Sequence, residues 1–356
     1  MDQQNNAASL AQPARSSKIE FSGQAGEFFG IWIVNILLSI LTLGIYSAWA
    51  KVRTQQYFYG HTKIENQSFR YLATPMQILR GRVIAVIIFA GYFLLSSFLP
   101  VAALVLAIAL IFISPWLIVQ SLKFNLRVTS YRNVRFAFHG TYGGAFKYFI
   151  LLPILSVFTL YLAMPWALRK IDNYIVSNTS YGGKAFSVNT DTSTYYIAAL
   201  TAFAVAVGIM TVFIIASVVI TFAAGVGNAG GAATVIVGAM TFIAYWFVFM
   251  LSGAIYHTSI RNHLFNNTEI EGIVRFNSTM KTGAYLKLTM TNLLAIVFTL
   301  GLAYPWAKIR TAAYKAETLA LSIEPAADKL VDEVQQENSS FGEEAAGLFD
   351  VDISLA

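Results

Sequence analysis

Two asparagines, Asn35 and Asn292, lie inside long apolar segments of the chain. A buried amide needs a hydrogen-bond partner, because an unpaired polar group in an apolar medium is costly. That partner is either a neighbouring helix or a polar path for solute. Each asparagine is followed by the same phrase: Thr42-Leu43-Gly44 then Trp49-Ala50-Lys51-Val52-Arg53, and Thr299-Leu300-Gly301 then Trp306-Ala307-Lys308-Ile309-Arg310. A third copy reads Thr159-Leu160-Tyr161, then Trp166-Ala167-Leu168-Arg169-Lys170, with Leu152 where the others have Asn. Asn35, Thr42, Gly44, Thr159, Asn292, Thr299 and Gly301 are therefore the candidate repeat-core or path-lining residues. The threonine hydroxyls are placed to bond carbonyls freed where a helix breaks. Trp49, Lys51, Arg53, Trp166, Arg169, Trp306, Lys308 and Arg310 are candidate interfacial anchors, ring at the headgroups and cation in water.

This is hydrogen-bonding and anchoring chemistry, without an acid–base pair or nucleophile. The sequence holds no His-Glu-x-x-His, nucleophile elbow or phosphate loop, and Gly182-Gly183-Lys184 lacks the rest of a Walker motif. There is no cysteine, so thiolate metal sites and disulfides are excluded. His61, His139, His257 and His263 have no metal-ligand spacing. The expectation is a protein that is not an enzyme and carries no cofactor or metal.

The elements that must position these residues are membrane helices. The chain is 56% hydrophobic and only 12% charged, about half the charge of an ordinary soluble domain. No charged residue occurs from Val83 to Leu122, or between Tyr195 and Ser259. Pro100 divides the first run and the glycine-rich stretch Gly225–Gly231 the second. Each half is long enough to cross a hydrocarbon core, which predicts two transmembrane helical hairpins. In such a chain the net charge of +6 marks a cytoplasmic face. It does not mark a nucleic-acid surface, since no basic patch is interleaved with stacking aromatics.

The three repeat segments, Phe28–Ala48, Ala145–Pro165 and Ala284–Pro305, admit two topologies. As ordinary spans they give seven crossings and divide the 24 basic residues between both sides. As re-entrant or interrupted elements they leave four crossings, all basic residues on one side, and both termini cytoplasmic. The positive-inside rule and the helix-breaking signals favour the second. Beyond the Asn and Thr, the copies align at Gly26, Gly143 and Gly283, and at Tyr57, Tyr174 and Tyr314. The glycines are expected to permit close helix approach or to start the element. Copies 1 and 2 share an opening at Phe21 and Phe138, and a close at Thr62…Phe69 and Thr179…Phe186; copy 3 lacks both. Alternation at Ile64–Tyr71, Val134–Phe138, Lys184–Val188 and Ile273–Phe276 predicts short β-strands at the cytoplasmic face.

The organisation expected is a disordered lead over 1–17, repeat 1 with a transmembrane hairpin over 18–130, and repeat 2 with a transmembrane hairpin over 131–260. A partial third repeat covers 261–323, and an acidic disordered tail covers 324–356. The fold class is mainly α, multi-pass. The pattern Phe-x-Gly-x-x-Gly…Asn…Thr-Leu-Gly-Ile-Tyr…Trp-Ala-Lys-Val-Arg…Tyr over residues 21–57 resembles the bacterial YjgN family of inner-membrane proteins, with the resemblance covering about residues 19–323. It implies a multi-pass protein of the bacterial inner membrane and carries over no catalytic residue. Two functions are consistent with the residues. One is a non-enzymatic structure interacting with membrane lipids or solute, transport-like in form. The other is a scaffold or regulator holding a protein partner through its strands and acidic tail. Oligomeric state is not legible.

Overall fold

A computed structural model describes residues 14–223 and 231–336. The chain alternates short strands with helical hairpins. Strand β1 (Arg15–Phe21) leads into α1 (Ala25–Leu41) and α2 (Ser47–Gly60), which return to β2 (Thr62–Ile64) and β3 (Gln67–Tyr71). Then come α3 (Pro75–Phe98), α4 (Pro100–Arg127), β4 (Thr129–Tyr131) and β5 (Val134–Phe138). The second copy forms α5 (Tyr142–Phe158), with one π turn over Phe146–Leu151, and α6 (Met164–Ser177). It is followed by β6 (Thr179–Tyr181), β7 (Lys184–Ala185) and β8 (Ser187–Val188). Next are α7 (Thr192–Ala223), α8 (Ala232–Asn266), β9 (Thr268–Ile270) and β10 (Val274–Ser278). The third copy forms α9 (Thr282–Phe298) and α10 (Tyr304–Glu317), then β11 (Leu319–Ile323) and a helix α11 over 326–336.

The molecule is mostly helical, and among the described residues four helices, α3, α4, α7 and α8, are long and apolar enough to cross a membrane. At their ends nearest the strands they run on past the uncharged stretches, and two of those ends, at Thr74 and Asp191, are capped by side chains. Thr74 and Gln77, for example, form a reciprocal capping box ahead of α3, with Pro75 at its first position. Little of their surface is buried inside the protein. Helices apolar on all sides and unburied need an apolar surrounding.

The strands form one antiparallel sheet of eleven, in the order β7-β6-β5-β4-β3-β2-β1-β11-β10-β9-β8. Its two end strands are consecutive in the chain, separated only by Phe186. Residues 184–186 pair with β6, and 187–189 pair with β9. The sheet therefore closes on itself into a barrel-like ring. Connections in an up-and-down antiparallel ring alternate between its two ends. All five helical hairpins leave from one end. The tight turns, residue 15 and α11 lie at the other. Three of those turns have both central residues at positive φ: Glu65-Asn66, Arg132-Asn133 and Gly182-Gly183. That is the two-residue hairpin geometry matching strand twist.

The core sits inside the ring, where Ile64, Val134, Tyr181, Ile270 and Leu321 pack with Leu330 and Val331 of α11. Here two expectations are corrected. The carboxylates from 324 on predict an acidic disordered tail, yet 326–336 is helical and buries Leu330 and Val331. Its apolar residues Ala327, Leu330, Val331 and Val334 recur at helical spacing, a signal outweighed by counting carboxylates. The lead over 1–17 likewise overlaps β1, which starts at Arg15 and pairs with β11. Residues 1–13, 224–230 and 337–356, which include the glycine-rich stretch expected to divide the second uncharged run, lie outside the described residues. Copy 3, expected to lack both flanks, keeps them as strands β10 and β11 with different residues.

Candidate functional site

Each repeat is a broken helical hairpin, and the break has one geometry. In copy 1, Leu43 and Gly44 take positive φ; in copy 3, Leu300 and Gly301; in copy 2, Leu160 and Tyr161. The amide of the second residue reaches back to Ser39, Ile296 or Ser156 at 2.7 Å in every copy, closing the helix with a left-handed cap. The threonine works both ways. Thr42 donates to Leu38 O (2.7 Å) and accepts from the Tyr46 amide (2.9 Å). Thr299 donates to Ala295 O (2.7 Å) and accepts from Ala303 N (2.9 Å), and Thr159 does the same with Ser156 and Ala163. One hydroxyl thus ties the end of the first helix to the start of the second. These residues hold the turn, and Gly301 also borders the groove between the first and third hairpins. The turn tips are apolar and exposed: Leu43 and Leu300 are each 95% exposed and Leu160 84%.

The base of each hairpin is clamped by the repeated tyrosine. The Tyr57 hydroxyl donates to Gln24 O (3.0 Å), Tyr174 to Thr141 O (2.9 Å) and Tyr314 to Lys281 O (3.2 Å). Gly23, Gly140 and Gly144 are crowded by neighbouring rings: a Cβ there would fall 2.6 Å, 2.4 Å and 2.5 Å from Phe21, Phe138 and Tyr174. Gly26, Gly143 and Gly283 each stand second in their helix, and a Cβ there meets nothing. Of the two roles expected for them, only starting the element remains.

Because β11 pairs with β1, the third hairpin packs beside the first, and an open groove of about 760 Å³ lies between them. Its walls are apolar, including Phe28, Trp32, Ile36 and Ile296, with Trp32 stacked on Tyr304 at 6.0 Å. Into this groove come Asn35, Lys51, Thr54, Gln55, Gly301 and Lys308. Asn35 is 5% exposed; its Nδ2 lies 3.5 Å from Ala50 O, and its buried Oδ1 has no partner.

The equivalent Asn292 is closed. Its Nδ2 donates to Ala307 O (3.2 Å) and Thr311 Oγ1 (3.1 Å), and its Oδ1 accepts from Arg310 at 2.8 Å. Arg310 also stacks on Trp306, 4.3 Å from the ring centroid. In copy 1 the matching Arg53 bonds the Tyr46 hydroxyl instead (3.0 Å), leaving the Asn35 oxygen open. In copy 2 the buried Leu152 takes the place of the amide.

The anchor residues divide. Lys51 and Lys308 line the groove, with Lys308 Nζ 5.6 Å from the Tyr304 ring. Trp49 packs partly buried between α2 and α3, stacked on Tyr46, while Trp166 is half-buried at the start of α6. Arg169 is spent on the approach to α7, bonding Thr190 O (2.9 Å) and Thr192 Oγ1 (2.8 Å). Sequence reasoning missed Thr54, Gln55, Trp32 and Tyr304 because the groove is formed between copies, whereas the repeat reports only what lies within one. A threonine at the same distance after the asparagine in copies 1 and 3, Thr54 and Thr311, was the available signal. Among the described residues no cluster of three or more His, Asp or Glu is placed to hold a metal.

Residues 16–348 match the family described as "Bacterial protein of unknown function (DUF898)". The chain belongs to that family. It is similar to the inner membrane protein YjgN of Salmonella typhimurium, with 26% identity, spanning 83% of this chain and 86% of that protein. YjgN of Escherichia coli K12 is 25% identical, over 83% of this chain and 85% of its own length. No solved structure matches. Those relatives are inner-membrane proteins, and the apolar helices here agree with that setting.

Proposed function

We propose that the protein is a non-enzymatic, multi-pass inner-membrane protein that binds an anionic phospholipid in the groove between its first and third broken hairpins. The carrying observation is the unpartnered Asn35 Oδ1, buried in an apolar-walled groove that also holds Lys51 and Lys308. Two lysines attract a phosphate as point charges. A headgroup hydroxyl is the donor the open amide oxygen lacks. The apolar walls suit an acyl chain.

In this reading α3–α4 and α7–α8 cross the bilayer. The three broken hairpins re-enter from the cytoplasmic side, and the strand ring with both ends of the chain stays cytoplasmic. Three features support it. All five hairpins leave one end of the ring. Helices α1 and α9 have 17 residues, about 25 Å, short of a ~30 Å core. The basic residues avoid the far ends of the long hairpins. A scaffold acting through strands and acidic tail has less support. Its strands are consumed in a closed ring, and 326–336 lies against the chain's own core.

Two measurements test the proposal. The full chain, released for native mass spectrometry from bilayers of equal phosphatidylglycerol and phosphatidylcholine, should retain phosphatidylglycerol preferentially. The K51A/K308A double variant should lose that preference, and equal retention of both lipids by the unaltered protein overturns the lipid assignment. As the chain has no cysteine, Lys18→Cys and Lys329→Cys report sidedness directly. Both should escape an impermeant thiol reagent in intact cells, and labelling of only one would restore seven crossings.

A further inference from the structure

The strand ring encloses a second space, separate from the groove. Eight strands are about what side chains alone can fill. Here eleven short strands close one ring, and an apolar cavity of about 310 Å³ remains. Its wall is aromatic: Phe69 stands 5.0 Å from Tyr131, Phe136 4.9 Å from Tyr181, and Phe186 6.0 Å from Phe276. Both phenols are already committed to backbone, Tyr131 to Ile64 O (2.9 Å) and Tyr181 to Tyr131 O (3.0 Å). Burial pushes the Tyr131 hydroxyl up to about 12, with Tyr181 raised further, so neither ionises. The Thr179 and Thr268 hydroxyls are likewise committed to Ile175 O and Leu264 O, so away from the rim the described lining offers a ligand no uncommitted side-chain hydroxyl. An apolar cavity half this size stays dry and takes up apolar guests.

The cavity is bounded towards the helical hairpins by Val176, Leu264 and Phe265. At the other end α11 lays Ala327 and Val331 against it. That helix is fastened at the rim: Asp328 bonds Arg15 (2.7 Å) and Arg132 (2.6 Å), and Gln335 donates to Arg132 O (2.9 Å). Arg132 and Glu65 are the charged residues among the lining, both from hairpin turns at that rim.

We infer that the strand ring is a binding site for a single unbranched acyl chain, its hydrocarbon in the aromatic interior and its polar end at the Arg132 rim. The volume falls at the lower end of the range for small-molecule pockets. It admits one chain, where a two-chain lipid would have to leave its second outside. The inference does not depend on the groove, which shares none of these lining residues.

The test is photo-crosslinking in native membranes with decanoic acid bearing a diazirine near its methyl end, adducts being mapped by peptide mass spectrometry. A parallel arm uses phosphatidylglycerol with the same group on one chain, separating a free fatty acid from a membrane lipid as the source. Adducts in either arm on strand peptides carrying Phe136, Tyr181 or Phe276 are expected. Ala327→Trp, which fills the cavity from the lid, should lower them about tenfold, while K51A/K308A leaves them unchanged. Val331→Phe serves the same purpose should Ala327→Trp fail to fold. Adducts confined to α3, α4, α7 and α8 in both arms, or unaffected by a folded filling variant, overturn the inference.

Discussion

Asn35 and Asn292 occupy the same position in two copies of one hairpin, yet one amide is open and the other closed. Both reach towards the carbonyl of the alanine after the repeated tryptophan, Ala50 or Ala307. The difference lies in the arginine one turn further on. Arg310 stacks on Trp306 and turns inward to Asn292, whereas Arg53 is held by Tyr46, a residue that copy 3 replaces with Ala303. A single tyrosine hydroxyl thus diverts the cation and leaves the buried Asn35 acceptor without a partner. Duplication preserved the frame, and divergence at its edge separated a structural amide from a candidate binding amide.

The largest effect should come from removing the closed amide. Asn292→Leu removes three hydrogen bonds at once, Nδ2 to Ala307 O and to Thr311 Oγ1 and Arg310 to Oδ1, leaving Arg310 with Thr291 Oγ1 and Thr311 with Ala307 O. The expected cost is about 2–3 kcal/mol in detergent-based unfolding. Asn35→Leu removes one long bond and an unpaired oxygen, so stability should move by less than about 1 kcal/mol, in either direction. Phosphatidylglycerol retention should fall in Asn35→Leu and persist in any folded fraction of Asn292→Leu. Equal destabilisation by the two substitutions would erase the distinction between the copies.

The second contrast sets copies 1 and 3 against copy 2 at the break. Gly301 at φ 94° and Gly44 at φ 91° hold a conformation hostile to a side chain, while copy 2 accommodates Tyr161 at φ 64°. Gly301→Val should cost about 1–2 kcal/mol, because left-handed backbone crowds Cβ against the following carbonyl. Tyr161→Gly should be neutral to stabilising by up to ~1 kcal/mol, offset by the extra freedom of the unfolded glycine. Thermal transitions of the three proteins in one detergent make the comparison. A gain from Gly301→Val would mean that the break is set by the hairpin's packing and owes little to local backbone preference.

How far the sequence disclosed this molecule follows from where its signals are local. The four long helices were legible because charge is absent over entire spans, and the breaks because Thr-Leu-Gly carries its own backbone chemistry. The ring was not. Alternation marked several of its strands, which are two to seven residues long, but not their pairing, and β1 and β11 pair from opposite ends of the chain. Single copies identified Asn35 and Lys51, but the groove exists only because that distant pairing sets copy 3 against copy 1. Helix α11 was hidden for a different reason: its carboxylates dominate composition, while its function in the fold rests on Leu330 and Val331.

The smallest effect concerns the seam where copies 1 and 3 meet. Asp328, just past β11, pairs with Arg15 at the start of β1 and with Arg132 of the β4–β5 turn. The Arg132 hydrogen bond, aided by Arg15, holds the Asp328 carboxyl below its usual 3.8. A carboxyl so lowered stabilises docking fully above its ordinary pKa and loses that contribution as pH falls through the depressed value. Among the ionisable groups near it are Glu65, which shares Arg15, and Tyr131, neutral throughout the range. Hydrogen-exchange protection of 326–336, corrected for intrinsic rates, should stay level from neutrality to about pH 5 and fall below about pH 4. As a partly exposed pair it carries no more than about 1 kcal/mol, so the loss is a few-fold. Asp328→Asn should give the lower protection at every pH, with a flat profile. If that variant keeps the acid-sensitive step, the seam is fastened elsewhere and the contrast between copies 1 and 3 does not extend to the lid.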